Sequence, residues 1–206
     1  MSRDIWCAPC DAAMPYLNAP HCPVCALPTP QGEICGHCLK NPPAFTRTLA
    51  VFGYRFPADH LIQLMKYREQ LALSRAFAEK FVQRLDRSSL PDCLIAMPLH
   101  PAKLQSRGFN QAQLIAAPIA NLLDIPLLSL ACRRLRDTPS QTSLPWKARS
   151  RNMRGAFACE MDFSGKHVAL VDDVLTTGAS MNALAEAVQQ QGAGAISAWV
   201  IARTAA

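Results

Sequence analysis

The chain has 206 residues, half of which are hydrophobic, and a formal net charge of +6. This length accommodates one sizeable domain and a small appendage. The first residues lack the apolar core of a signal peptide, and prolines and polar residues interrupt the most apolar stretch, residues 114–132. These features argue against a secreted or membrane-spanning protein. We therefore expect a soluble, cytoplasmic protein with no membrane insertion.

The first 38 residues contain three Cys-x-x-Cys pairs, and in a reducing compartment such pairs favour a metal over disulfides. The second and third pairs supply four thiolates on two short turns, which is the ligand set of a structural zinc site. These thiolates belong to Cys22, Cys25, Cys35 and Cys38. Zinc can contribute about 10–16 kcal/mol to folding a segment too small to build a core. A redox dithiol or chance pairing is the alternative, and His21 and His37 are neighbouring candidate ligands.

The other five cysteines have no obvious metal partners. Cys7 and Cys10 form half of a four-ligand set, so they are half of a second site, free thiols, or competitors of the second pair. Cys93, Cys132 and Cys159 stand alone among apolar neighbours, and we interpret them as core residues rather than nucleophiles.

Beyond a linker at residues 40–46, the pattern is that of a globular domain. We therefore divide the chain into a cysteine-rich module, residues 1–45, and a second domain, residues 46–206. Strands are predicted at 46–56, 92–100, 127–135, 167–171 and 196–203. Helices are predicted at 58–85 (one long or two consecutive), at 109–124 with a kink at Pro118, and at 180–192 with Gly192 as its end. This alternation indicates an α/β fold, a mostly parallel sheet flanked by helices.

The positive charge is concentrated in residues 133–154, which hold seven basic residues and one acidic residue, Asp137. That segment alone accounts for the net charge of +6, so the remainder of the chain is formally neutral. A concentrated basic segment favours a phosphate-bearing ligand or nucleic acid. A solvated loop or helix face is the alternative.

The stretch VALVDDVLTTGAS, residues 168–180, places Asp172 and Asp173 directly after an apolar strand, where ligands of α/β sheets bind. The following residues open a helix whose free N–H groups and hydroxyls form an anion cradle. They are Thr176, Thr177, Gly178, Ala179 and Ser180. Because carboxylates repel phosphate, the pattern predicts a sugar diol, free or carrying Mg²⁺, beside the phosphate. An acidic loop with a threonine cap is the alternative.

This stretch resembles the motif by which type I phosphoribosyltransferases bind phosphoribosyl pyrophosphate (PRPP). The resemblance implies that Asp172 and Asp173 hold the ribose hydroxyls, that the turn holds the 5′-phosphate, and that Mg²⁺ accompanies PRPP. Four further segments, CGHCLKNPPAF, LIQLMKY, PLHPAKLQSRGFNQ and RNMRGAF, are similar to the ComF/GntX family. Members fuse a zinc-binding module to such a domain, and the family is linked to DNA uptake. Longer members carry one more cysteine pair upstream, which makes Cys7 and Cys10 resemble half of a truncated first zinc site.

The resemblance also assigns two basic segments. The loop at residues 97–111 corresponds to the pyrophosphate site, where Lys103 and Arg107 supply charge and Gly108 permits close approach of backbone amides. A surface loop capping the next helix through Asn110 is the alternative. The segment around residues 133–157 corresponds to the flexible loop that closes over substrate. Its candidate residues are Gln141, Arg149, Arg151 and Asn152.

Two functions are compatible with this pattern. In the first, the protein transfers a phosphoribosyl group from Mg-PRPP to an acceptor that the sequence does not identify, with release of pyrophosphate. In the second, the PRPP site is a sensor without turnover, and the zinc knuckles and basic loops contact single-stranded DNA or a partner of the DNA-uptake machinery.

Overall fold

In the computed structural model, which describes residues 6–67, 72–137 and 155–205, the domain is built on a parallel sheet. Four strands lie in the order β1-β6-β5-β2, and every neighbouring pair is parallel. The strands are β1 (Arg47–Gly53), β2 (Cys93–Ala96), β5 (His167–Leu175) and β6 (Ala195–Arg203). Two shorter strands, β3 (Cys132–Arg134) and β4 (Phe157–Cys159), pair antiparallel in a separate ribbon. The predicted α/β fold is confirmed.

In chain order the described helices are α1 (Ala8–Ala12), α2 (Gly36–Lys40), α3 (Ala58–Tyr67), α4 (Ala72–Arg84), α5 (Pro101–Arg107), α6 (Gln111–Leu123) and α7 (Ala179–Gln189). Three of these described helices, α4, α6 and α7, pack on the sheet. Helices α4 and α6 pack against each other. Helix α4 contacts β1 and β6, helix α6 contacts β2 and β5, and helix α7 contacts β4, β5 and β6. Val168, Ala169, Leu170 and Val171 are consecutive and buried, which shows that β5 is covered on both faces. Among these described helices, none combines the length and apolar character needed to cross a bilayer.

The N-terminal module, residues 6–45, packs into the same hydrophobic core as the sheet. Trp6 lies against Phe77 of α4, Tyr16 stacks on Phe52 of β1, and Phe45 is buried. Lys80 of α4 pairs with Asp11 at 2.8 Å. The module is thus attached to the larger domain by apolar packing and by charge.

The helical pattern at 58–85 forms two consecutive helices, the second of the two alternatives predicted for it. The strand expected at 127–135 is reduced to Cys132–Arg134, and the strand expected at 167–171 continues to Leu175. The basic loop expected within 97–111 contains a helix, α5, because Pro101 fits the first helical turn and Gly108, at φ +79°, ends it.

The interpretation of Cys132 and Cys159 as separate core residues was wrong in one respect. Both are buried, but they are joined by a disulfide. The antiparallel register of β3 and β4 places them directly opposite each other, with their Cα atoms 4.1 Å apart. Cys93 is buried and has a free thiol.

Candidate functional site

The two acids lie inside β5 rather than after it, because the strand continues to Leu175. Successive residues of a strand point to opposite faces, so Asp172 and Asp173 diverge. Asp173 is buried and pairs with Lys66 of α3, Nζ to Oδ2 at 2.6 Å, while its N–H donates to Asp172 Oδ1 at 2.9 Å. Asp172 is only half-buried. The two carboxylates therefore have different environments, one neutralised by an ammonium and one more open to a ligand.

Desolvation of the half-buried Asp172 carboxyl, and after it the charge of Asp173, raises the pKa of Asp172 to about 7. Lys66 has the opposite balance: burial opposes its charged form, but the carboxylate of Asp173 raises its pKa above the ordinary value. Lys66 is therefore charged at neutral pH, whereas Asp172 changes its charge there. A carboxyl that titrates near neutrality at the carboxyl end of a central strand is typical of a functional site.

The predicted anion turn, residues 176–180, connects β5 to α7. Gly178 has φ +80°, a left-handed conformation that favours glycine, and it is the N-cap of the eleven-residue helix α7. The hydroxyl of Thr177 accepts from the Ala179 N–H at 3.4 Å. Thr176 is exposed, and Thr177, Ala179 and Ser180 are half-buried, so the turn is accessible to solvent. It offers the positive end of a helix and hydroxyl donors to an anion.

Arg203, at the end of β6, forms hydrogen bonds with the backbone at the start of this turn. Its Nη1 donates to the carbonyl oxygens of Leu175, at 2.9 Å, and of Thr176. Its Nε donates to the Cys25 carbonyl oxygen at 2.7 Å, so the same guanidinium reaches the cysteine cluster. A cleft of about 190 Å³ lies between the cluster and the turn, and Cys38, Thr177 and Arg203 are among its lining residues.

The residues predicted to bind pyrophosphate lie beyond the end of β2, in and after α5. Lys103 forms an ion pair with Asp137, 3.1 Å from Nζ to Oδ1, and Arg107 donates to Gln111 Oε1 at 2.8 Å. Asn110 caps α6 by accepting from the Ala112 N–H, and its amide also donates to the Met97 carbonyl oxygen. Since β2 and β5 are parallel neighbours, Lys103 and Arg107 belong to the same edge of the sheet as the anion turn.

The candidate residues of the flexible loop, Gln141, Arg149, Arg151 and Asn152, lie outside the described residues. Of the basic segment, the structure describes residues 133–137, which include Arg133, Arg134 and Arg136. Asp137, the ion-pair partner of Lys103, belongs to the same range. Arg134 lies over the ring of Phe157. Burial lowers the pKa of its guanidinium, and the charges of Asp137 and Asp172 oppose that shift.

The four predicted metal ligands converge. The sulfur atoms of Cys22, Cys25, Cys35 and Cys38 all lie within 4.8 Å of one another, and Cys25 and Cys35 are 3.6 Å apart. Zn–S bonds of about 2.3 Å in a tetrahedron place sulfurs about 3.8 Å apart, so this cluster fits a zinc ion. Burial opposes ionisation of Cys22, but backbone N–H groups of the two turns lower its pKa to about 7. Thiolate ligands and a closed shell indicate structural zinc rather than a catalytic metal.

Cys7 and Cys10 lie outside this cluster. Both are exposed at the start of α1 and have free thiols. Neither His21 nor His37 belongs to the four-sulfur group, since His21 Nδ1 lies 2.9 Å from the Ala19 carbonyl oxygen and four thiolates already complete a tetrahedral shell.

Sequence reasoning missed Lys66 and Arg203. Each acts through a partner far along the chain: Asp173 for Lys66, and Cys25 and Leu175 for Arg203. Lys66 lies in LIQLMKY, one of the segments similar to the family, but the similarity does not assign it a role. No sequence feature pointed to Arg203, which lies in an apolar strand.

Comparison with known families matches both parts of the chain. A double zinc ribbon domain corresponds to residues 2–39, and a phosphoribosyl transferase domain corresponds to residues 110–206. Among solved structures, a purine phosphoribosyltransferase from Pyrococcus horikoshii Ot3 aligns over 66% of this chain and 83% of its own, with 20% identity and a TM-score of 0.37, and we draw nothing from a likeness this low.

Relatives of known name match over most of the chain. DNA utilization protein YhgH of Escherichia coli K12 is 33% identical over 190 residues, covering 89% of this chain and 84% of the relative. Competence protein F of Haemophilus influenzae is 33% identical over 82% of this chain and 78% of its own, and competence protein ComFC of Bacillus subtilis is 22% identical over 96% and 84%. The chain therefore belongs to the ComF family of competence and DNA utilization proteins, which joins a zinc ribbon to a phosphoribosyltransferase domain.

Proposed function

We propose that this protein binds Mg-PRPP at the carboxyl end of β5 and that it does so in the cytoplasm. One observation carries the proposal: an acidic pair in the central strand, Asp172 and Asp173, is followed at once by an accessible helix-opening turn with a left-handed glycine. The turn supplies N–H groups and hydroxyls to the 5′-phosphate, and the acids hold the ribose hydroxyls. The match to a phosphoribosyl transferase domain supports the same reading.

Because the two acids lie in different environments, we expect them to have different roles in ligand binding. Asp173 is already paired with Lys66, so Asp172 is the more available acceptor for a ribose hydroxyl. Mg²⁺ bound with PRPP would offset the charge of its pyrophosphate beside these carboxylates. Lys103, Arg107 and Gly108 would face the pyrophosphate from the end of β2. Gln141, Arg149, Arg151 and Asn152 stay candidates for closing the site.

The experiment is calorimetry with two ligands, Mg-PRPP and inorganic phosphate. In Thr177→Val the turn loses one hydroxyl, and both ligands should bind more weakly, by about 1–3 kcal/mol. Incubation with Mg-PRPP and a panel of bases, monitored by pyrophosphate release, then separates turnover from binding alone. Unchanged affinity for both ligands in folded Thr177→Val would rule out the turn as the phosphate site.

The pKa of Asp172 predicts a pH dependence. If its ionised form accepts the ribose hydroxyls, PRPP affinity should rise by up to about tenfold per pH unit below neutrality and level off above about pH 7. PRPP phosphates titrate in part of this range as well, so the measured quantity is the wild-type affinity divided by that of Asp172→Asn, at each pH from about 6 to 8. A ratio that does not change with pH would exclude Asp172 as the titrating group.

A second function is favoured by the relatives, since one is named a DNA utilization protein and two are named competence proteins. In that case the PRPP site is a sensor, and the basic segment with the module binds single-stranded DNA or a protein of DNA uptake. PRPP binding without pyrophosphate release, together with salt-dependent binding of an oligonucleotide, would favour this function over catalysis.

A further inference from the structure

The guanidinium of Arg203 connects two parts of the molecule that a cleft otherwise separates. On one side it donates to the carbonyl oxygen of Cys25, a residue of the four-sulfur cluster, and on the other to those of Leu175 and Thr176, the last residue of β5 and the first of the anion turn. Arg203 is 7% exposed, so these hydrogen bonds do not compete with bulk water. Arginine is suited to this position because its planar fork donates in several fixed directions at once.

These contacts orient the anion turn. In a planar trans peptide the C=O and the following N–H point in opposite directions. The carbonyls of Leu175 and Thr176 point to Arg203, so the N–H groups of Thr176 and Thr177 point away from it. Arg203, together with the Thr204 N–H, which donates to the Leu175 carbonyl oxygen at 3.2 Å, thus helps to fix the direction in which the first two donors of the turn are presented.

Charge also connects Arg203 to the cluster. A zinc ion with four thiolates carries a net charge of −2, and the guanidinium of Arg203 reaches this cluster through the Cys25 carbonyl oxygen, 2.7 Å from Nε. A buried cation needs such a partner, because an uncompensated charge in the interior is costly. Loss of zinc would remove the counter-charge and loosen the turn that presents the Cys25 carbonyl.

We propose that Arg203 is a positioning residue that couples zinc occupancy of the cysteine cluster to the geometry of the anion turn. Zinc in the cluster holds Arg203, and Arg203 holds Leu175 and Thr176 in the conformation that binds phosphate. Such coupling is reciprocal, so a phosphate ligand in the turn should also make zinc harder to remove. The ligand half of this inference rests on the proposed function, whereas the coupling of zinc to the turn does not.

The first test is hydrogen exchange in peptides covering residues 174–181. Zinc-depleted wild type and zinc-loaded Arg203→Lys should both exchange about tenfold faster in this segment than zinc-loaded wild type. Lysine keeps the charge but cannot donate to both sides at once. The test uses both zinc depletion and Arg203→Lys because either change alone could disturb the whole fold. The comparison is made in whichever protein keeps wild-type exchange outside residues 174–181.

Thr48→Val is the matched control. Its hydroxyl donates to the Val24 carbonyl oxygen and its N–H to that of Pro23, so Thr48 also joins the module to the sheet, but through carbonyls of the module rather than of the turn. This variant should keep wild-type exchange at residues 174–181 while zinc is bound. Wild-type exchange in that segment in zinc-loaded Arg203→Lys would overturn the proposal, as would equal acceleration in Thr48→Val.

The reciprocal test measures zinc affinity by equilibrium competition with a chelator, with and without saturating Mg-PRPP. Zinc affinity should rise about tenfold in wild type and be unaffected by PRPP in Arg203→Lys. If PRPP binds wild type but leaves the zinc affinity unchanged, the coupling is wrong. If PRPP does not bind at all while exchange in the turn still responds to zinc, the proposed function fails and the coupling stands.

Discussion

Replacing Cys38 with serine is expected to remove zinc and to unfold the N-terminal module. Structural zinc contributes about 10–16 kcal/mol in comparable small sites, far more than the apolar packing of the module could replace. Because the module shares its core with α4 and β1, the loss should also lower the melting temperature of the whole protein. The measurements are elemental analysis of protein purified without chelator, with one zinc per chain expected for wild type, and thermal unfolding.

Cys10→Ser is the control for this prediction. Cys10 is exposed and lies outside the four-sulfur cluster, so the variant should keep its zinc and its melting temperature. Loss of the single zinc in Cys10→Ser, or full zinc content in Cys38→Ser, would show that the ligands have been assigned incorrectly.

The second large effect is expected for Lys66→Met. The substitution leaves Asp173 buried without a counter-charge, and breaking a buried ion pair from one side costs about 3–5 kcal/mol. Denaturant unfolding should show this loss near neutral pH.

Two further variants isolate the charge effect. Lys66→Met combined with Asp173→Asn removes both charges and should recover much of the lost stability. Arg75→Met breaks an ion pair with Glu79 in which the arginine side chain is 73% exposed, and it should change stability by less than about 0.5 kcal/mol. If Lys66→Met is no more destabilising than Arg75→Met, the pair with Asp173 does not stabilise the fold.

Much of the sheet could be predicted because its strands carry local patterns. Residues 167–171 and 196–203 are short apolar runs, typical of parallel strands covered on both faces, and glycine and polar residues mark their ends. The four zinc ligands could also be predicted, since two residues between paired cysteines is a local spacing. The turn at residues 176–180 was identified for the same reason: its threonines, glycine and following helix are contiguous.

Features that depend on distant partners could not be predicted. The sequence shows Asp172 and Asp173 as equivalent. In the structure, Lys66 on α3 pairs with Asp173, whereas burial and the charge of Asp173 raise the pKa of Asp172. The disulfide between Cys132 and Cys159 depends on the register of two three-residue strands that are too short to give a pattern. Within residues 97–111, the basic side chains predict a phosphate-binding loop, whereas Pro101 and Gly108 mark the two ends of a helix.

The strand order has a consequence for how the protein folds during synthesis. Strand β6 lies between β1 and β5, and the backbone of Thr46, just before β1, bonds to Ile196, 150 residues later. Until β6 has been synthesised, β1 has no partner in the main sheet, and Phe52 lacks its neighbour Ala202. We therefore expect the sheet to close late and slowly, which leaves apolar surface exposed to aggregation. Early packing of the N-terminal module on β1 would cover part of that surface and reduce aggregation during synthesis.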